Sequence, residues 1–319
     1  VIMAKGKIKK YILTVTLNPA VDKIIRVKNF RAGRTSLDKG IVLSAGGKGI
    51  NVSRVLGRFG LFSMATGFVG GVAGRFIKDG LEREGIKFDF VEIKKDSRTN
   101  LTIIDPDTMK VTRILEEGPV IQPPEWARFR ERYDLLLRKC SLVVLSGRKA
   151  AGLSDGTYAE LIKLAHKRKI RTVLDTHGQP LRNGLRAKPF CIKPNREEAE
   201  ALLGEKLNTL TKVKKAISFF HRQGVAIVMI SLGGQGAVAS DGEEIWKAVP
   251  PRIKCRNSVG CGDAFIGGYV YGIHRGKTLK EALRLAVAAG AANSASLRPG
   301  AVEKSQIEKM LARVKMTKV

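Results

Sequence analysis

The chain has 319 residues, 44% hydrophobic and 27% charged, the balance of a soluble globular protein with one large core or a core and a small appendage. No apolar stretch approaches the length of a membrane span, so a transmembrane protein is excluded at this stage. Lys and Arg total 58 against 29 for Asp and Glu, a net charge of +29 that attracts anions such as nucleotides, sugar phosphates or nucleic acid. The basic residues are spread along the whole chain, so they read as compositional background and not as a nucleic-acid interface. The four cysteines (Cys140, Cys191, Cys255 and Cys261) form no C-x-x-C pair and no zinc spacing, which points to a reduced, cytoplasmic setting.

Residues 1–10 read as a basic extension. The short apolar run that follows reads as a first strand, not as a signal peptide. Strand-like runs then recur at 11–17, 63–68, 142–146, 171–175, 191–193 and 226–231. Between them lie helical patterns at 51–59, 76–84, 126–138, 158–167 and 213–223. In the first, Val52, Val55, Leu56 and Phe59 make one apolar stripe that Gly60 ends. The alternation predicts a mainly parallel sheet covered on both faces, with ligands at the carboxyl ends of its strands. Segments 21–44 and 88–115 break the pattern and show period-2 alternation, notably at 98–104 and 110–115. Together they predict a small β lid, formed by about 20–44 and 88–117, on a single domain spanning 11–315.

The most informative motif is Gly260-Cys261-Gly262-Asp263, directly before an apolar helical run at 264–271. Glycines let several backbone N–H groups converge, and a helix start adds its positive end. A carboxylate there can take a proton while the N–H groups hold a phosphoryl group in transit. A simple Gly-Asp helix start is the structural alternative. Gly46 to Asn51 opens the first helix, where glycines suit close approach of a ligand and Asn51 can grip a hydroxyl in both directions; a glycine-rich turn with Asn51 near the cap also fits. Asn195 and Glu198 lie three apart at a helix start, a spacing that suits either a holder of hydrated Mg²⁺ or a capping box. Ser231, Gly233 and Gly236 mark a turn that could sit against a nucleotide or serve as a plain hairpin. No Walker A loop and no G-x-G-x-x-G occur. Of the histidines only His177, after the strand end at Asp175, lies where a site would be.

The order of these motifs resembles the ribokinase-like (PfkB) carbohydrate kinases over about residues 11–300. The likeness is carried by Thr16-Leu17-Asn18-Pro19-Ala20-Val21-Asp22, Gly47-Lys48-Gly49-Ile50-Asn51, Lys193-Pro194-Asn195 with Glu198, Ser231-Leu232-Gly233 and Val259-Gly260-Cys261-Gly262-Asp263. The opening motif and Glu117-Gly118-Pro119 resemble the hexose-phosphate branch: 1-phosphofructokinase, tagatose-6-phosphate kinase and the minor 6-phosphofructokinase. The resemblance implies a three-layer α/β/α fold with a β lid. It implies Asp263 as the base and the backbone of Gly260, Cys261 and Gly262 as the anion hole. Asp22, Gly47 and Asn51 would hold sugar hydroxyls. Lys48 and Arg98 would meet the substrate's own phosphate, with Arg34 helping from the lid and Ser146 and Arg148 nearby. Ser231, Gly233 and Gly236 would line the ATP side, with Asn293 near the nucleotide base. Asn195 and Glu198 would organise Mg²⁺, and a monovalent cation is an optional addition.

Three departures stand out from the branch pattern. Ser146-Gly147-Arg148-Lys149-Ala150 replaces Ser-Gly-Ser-Leu-Pro, so Arg148 takes the place of a serine that commonly helps bind the substrate phosphate. Asp175-Thr176-His177-Gly178 stands for Asp-Ser-Ser-Gly, and Cys261 replaces alanine in the anion hole, where a helix start would acidify its thiol. The expected activity is ATP-dependent phosphorylation of fructose 1-phosphate to fructose 1,6-bisphosphate. Tagatose 6-phosphate and fructose 6-phosphate are the nearest alternatives, then a non-phosphorylated sugar or nucleoside, and last a non-catalytic nucleic-acid-associated protein on a kinase scaffold. Lid strands can pair between subunits in this family, which leaves room for a homodimer.

Overall fold

Strand β1 (Tyr11–Thr16) is buried along its whole length. Tyr11, Leu13 and Val15 pack into one core cluster and Ile12 into another. A continuous apolar run is what a central strand needs when both faces of its sheet are covered. The computed structural model describes residues 10–37, 40–108, 110–253, 255–296 and 298–319. Most of the predicted basic extension lies outside them.

In chain order the further strands are β2 (Ala20–Arg26), β3 (Ile41–Gly46), β4 (Ser63–Gly70), β5 (Lys87–Phe88), β6 (Val91–Ile93), β7 (Arg98–Ile104) and β8 (Val111–Leu115). They continue with β9 (Cys140–Ser146), β10 (Arg171–Asp175), β11 (Cys191–Ile192), β12 (Ile227–Ser231), β13 (Ala237–Ser240), β14 (Ile245–Val249) and β15 (Lys315–Lys318). The helices are α1 (Lys48–Arg58), α2 (Gly71–Arg83), α3 (Pro123–Leu137), α4 (Thr157–Lys167), α5 (Gly178–Arg186), α6 (Arg196–Leu203), α7 (Leu210–Arg222), α8 (Cys261–His274), α9 (Leu279–Ser294) and α10 (Lys304–Leu311).

The main sheet runs β15-β14-β13-β12-β11-β10-β9-β1-β4-β5, with β6 also on β4. From β12 to β5 its pairings are parallel, and β13, β14 and β15 form an antiparallel edge. One face is covered by residues such as Tyr133 of α3, Tyr158 of α4 and Ile217 of α7. Val55 of α1, Ile266 of α8 and Ala286 of α9 cover the other. This is the predicted three-layer α/β/α arrangement.

A separate sheet, β3-β2-β7-β8, forms the lid. The lid expectation holds for β2, β3, β7 and β8, but residues 88–93 belong elsewhere. There β5 and β6 pair with β4 of the main sheet, because Val91 and Ile93 bury beside Phe68 in the main core. Helix α1 begins three residues before the predicted 51–59, since Gly47 and not a later residue caps it. Because the strands are parallel, the ends of β9, β10, β11 and β12 deliver Ser146, Asp175, Lys193 and Ser231 to one edge.

Candidate active site

Helix α8 starts at that edge. Its N-cap, Gly260, has φ 79°, and a Cβ there would lie 2.8 Å from Pro299 Cβ, so a glycine is required on both counts. Asp263 sits in the first turn and is buried. Its Oδ2 accepts a 2.7 Å hydrogen bond from Asn51 Nδ2 on α1, so two segments remote in sequence meet. Burial pushes the Asp263 carboxyl up to about 6 against the opposing pull of Lys48. A carboxylate tuned towards neutrality at a helix start is suited to accept a proton from an alcohol.

Beside it lies a charged cluster. The Asp175 carboxylate at the end of β10 is 3.2 Å from Lys48 Nζ and 3.1 Å from Lys193 Nζ. Burial works to raise Asp175, yet Lys193 and Lys48 outweigh it and bring its pKa down to about 2. Burial likewise works to lower Lys48, but the charges of Asp175, Asp263 and Glu198 hold it above the usual lysine range. Lys48 was expected to meet the substrate's phosphate; its ammonium is here engaged by Asp175. Lys193 was not singled out by role from the sequence. A side chain at Gly262 would come 3.4 Å from its Nζ, which places that cation under the start of α8.

At the lid side, Asp22 on β2 accepts a 2.9 Å hydrogen bond from Asn100 of β7, and burial raises its pKa. Gly46 on β3 pairs with Ala20, and a Cβ there would come 2.1 Å from Asp22 Oδ2. Only glycine leaves that carboxylate its space. Gly47 follows as the α1 N-cap. Arg98 is half-buried and donates to the carbonyls of Asn18 and Glu116 at 2.9–3.2 Å. Its pKa is lowered first by burial and then, against the pull of Asp22, by the neighbouring cations Arg148 and Arg113. Like charges brought together in this way create a locally positive field that attracts anions. Arg113 was missed, because on an exposed strand it reads as a surface residue. Arg34 lies exposed on the segment between β2 and β3.

Ser146 is fully buried and its hydroxyl lies 3.1 Å from Asp175 Oδ2, so it is engaged with that carboxylate. Arg148, two residues on, is exposed. His177 caps α5, and burial lowers its pKa.

On the other side of α8 is a cavity of about 580 Å³. Ser231, Gly233 and Gly236 line it, together with Cys261 and Gly262. Asn293 does not line it. That residue is fully buried, donates to Val259 O at 2.9 Å and accepts from Gly300 N at 2.7 Å. The wall is made instead by Val287, Gly290, Ala291 and Ser294 of α9, together with Phe265. Their i, i+3, i+4, i+7 spacing of small residues was the signal available in the sequence. Burial pushes the Cys261 thiol up to about 11 against the hydrogen bond from Asn293, opposite to the acidification that a helix start suggests.

Asn195 and Glu198 form a reciprocal capping box on α6, with bonds of 2.7 Å and 2.9 Å. Among the described residues no group of three or more His, Cys, Asp or Glu is placed to hold a metal ion directly. The side-chain donors of Asn195 and Glu198 are oxygens, and Glu198 lies near enough to Lys48 to raise its pKa. That set fits Mg²⁺ that keeps most of its own waters.

The sequence profile of the pfkB family carbohydrate kinases matches residues 13–303. The chain is 36% identical to the 1-phosphofructokinase of Bacillus subtilis over 97% of this chain and all of that one. It is 33% identical to the tagatose-6-phosphate kinase of Staphylococcus epidermidis, again over 97% of this chain and all of the relative. Among solved structures, phosphofructokinase-2 of Escherichia coli in complex with potassium superposes with a TM-score of 0.89 at 28% identity, covering 95% of this chain and 99% of that one. The same E. coli enzyme has also been solved in a tetrameric inhibited form.

Proposed function

We propose that this chain, which belongs to the pfkB family of carbohydrate kinases and is a sugar-phosphate kinase, transfers the terminal phosphoryl group of ATP to fructose 1-phosphate. The observation that carries the reading is the position of Asp263. It lies buried in the first turn of α8, hydrogen-bonded to Asn51, directly after Cys261 and Gly262, which line the cavity of about 580 Å³.

In this reading Asp22 and Asn51 orient the sugar hydroxyls, and Asp263 takes the proton of the attacking one. The N–H groups at the start of α8 and the ammonium of Lys193 receive the negative charge of the group in transfer. Arg98 and Arg148 hold the phosphate already on the substrate, where Arg148 offers a charge-assisted contact in place of a serine hydroxyl. ATP takes the cavity beside α9. Asn195 and Glu198 hold hydrated Mg²⁺, which supplies neutralisation of phosphate charge. The E. coli relative was solved with potassium, and a monovalent cation is a further cofactor to test here. The lid excludes water, which suppresses hydrolysis of ATP.

Tagatose 6-phosphate is the second reading. It is favoured by the 33% identical relative and by Arg148 and His177, which alter the phosphate end of the pocket. A coupled ADP-release assay over fructose 1-phosphate, tagatose 6-phosphate, fructose 6-phosphate and their non-phosphorylated parents separates the readings. Fructose 1-phosphate is expected to give the highest kcat/KM. Preference for a sugar without phosphate would overturn the role of Arg98 and Arg148.

A further inference from the structure

Arg54 lies on α1 one turn beyond Asn51, and its side chain is only 4% exposed. Its Nη1 donates to Asn51 Oδ1 at 2.6 Å and to Pro299 O at 3.1 Å, while Nη2 donates to Ala45 O at 2.8 Å. Its Nε is 2.6 Å from the Glu84 carboxylate, which also pairs with Arg298. The guanidinium is therefore fixed on several sides by groups from α1, the α2 end, β3 and the segment before α10.

A guanidinium donates and never accepts, whereas a side-chain amide does both and can turn over. With Arg54 in place, the oxygen of Asn51 must face Arg54. Its NH₂ must then face Asp263, where it donates to Oδ2. A reversed amide would set an oxygen against a carboxylate oxygen, an arrangement tolerated only when Asp263 carries a proton.

We infer that Arg54 is a positioning residue: through Asn51 it fixes the amide orientation that favours the ionised, proton-accepting form of Asp263. The inference rests on the reading of Asp263 as the base. The other charged groups around Asp263 are Lys48 of α1, Asp175 at the end of β10 and Lys193 after β11, and none of them is altered by changing Arg54. The sequence hid this role, since an arginine four residues before a helix end reads as a surface residue.

The test compares Arg54→Gln, which can donate or accept, with Arg54→Lys, which only donates. Profiles of kcat/KM against pH are recorded with the best sugar phosphate, alongside thermal melts. In Arg54→Gln the acid limb is expected to move up by about one pH unit, and Arg54→Lys should return it most of the way. A purely structural role would lower Tm and scale the rate equally at every pH. A folded Arg54→Gln protein whose acid limb coincides with the parent's overturns the inference. If that variant does not fold, neutron diffraction of the unmodified protein in D₂O decides. Deuterons of Asn51 aimed at Asp263 support the inference, and a carbonyl aimed there overturns it. Asp263→Asn is assayed in parallel. Near-normal turnover in that variant removes the base itself, whereas an inactive Asp263→Asn beside an unmoved Arg54→Gln limb removes only the relay.

Discussion

Oδ2 of Asp175 lies 3.2 Å from Nζ of Lys48, which ties the start of the first helix to the end of a central strand 127 residues later. The carboxylate has no exposed surface and also holds Lys193, whose side chain is 4% exposed. Two cations that face a phosphoryl-transfer cleft are thus kept in place by one buried anion.

Removing that anion leaves a buried ammonium without its partner, at a cost of about 3–5 kcal/mol. The Asp175 pKa is depressed from 3.8 to about 2, so its contribution is full above pH 4 and is lost as pH falls towards 2. Urea unfolding should therefore place Asp175→Asn well below the parent at pH 7, with the gap closing at pH 3. Equal midpoints at pH 7 would refute the pairing.

Asp263 behaves in the opposite sense. Its pKa is raised from 3.8 to about 6, so its stabilising contribution is complete below pH 4 and is lost as pH rises through 6. Asp263→Asn should be more stable than the parent at pH 8, on the order of 2 kcal/mol, with no difference near pH 4. The same variant should lose roughly a thousandfold or more in kcat with little change in KM. Calorimetry at the two pH values and a steady-state assay check both halves.

The small residues on α9 keep open the cavity proposed for the nucleotide. Ala291→Leu projects added bulk into the cavity of about 580 Å³. It should raise the KM for ATP about tenfold while leaving that for the sugar phosphate within about twofold, the pattern of a blocked pocket wall. An equal rise in both constants would mean that the cavity is not the nucleotide site.

The two edge strands of the lid expose apolar side chains: Ile41, Val42 and Leu43 on β3, and Ile114 and Leu115 on β8, with Ile114 56% exposed. Exposed apolar edge strands are suited to pair with another copy. We expect a homodimer paired through the lid. Ile114→Glu with Leu43→Glu should convert it to a monomer in sedimentation velocity. A parent protein that is monomeric at micromolar concentration would end this expectation.

Much of the architecture could be read without coordinates. The runs at 142–145 and 173–174 are apolar without alternation because both faces of their strands are buried, and parallel strands in such a setting leave a plain signature. The pieces at 88–93 were assigned to the wrong sheet. Short strands carry too few residues to say which partner they will pair with, and only the burial of Val91 and Ile93 against Phe68 settles it.

The site shows the same division. Asp263, Asn51 and the glycines before α8 announce themselves, because a backbone that must curl around an anion admits few residue types. Ser146 and Asn293 are buried and hydrogen-bonded within the fold, which could not be read beforehand because a sequence does not tell whether a polar side chain is already spent on a neighbour. Arg54, Asn100 and Lys193 act through partners that lie far along the chain. Cys261 sits at a helix start that would acidify a thiol, but the depth of its burial reverses the sign.

The sequence by itself determined the layered parallel fold, the family and the glycine-framed start of α8 that carries Asp263, since these follow from local periodicity, motif order and backbone conformations open to glycine alone. The tertiary structure decided which charges are free to meet a ligand and which are held by one another. Electrostatic energies depend on distance and on the exclusion of water, and both are properties of the folded arrangement and not of order along the chain.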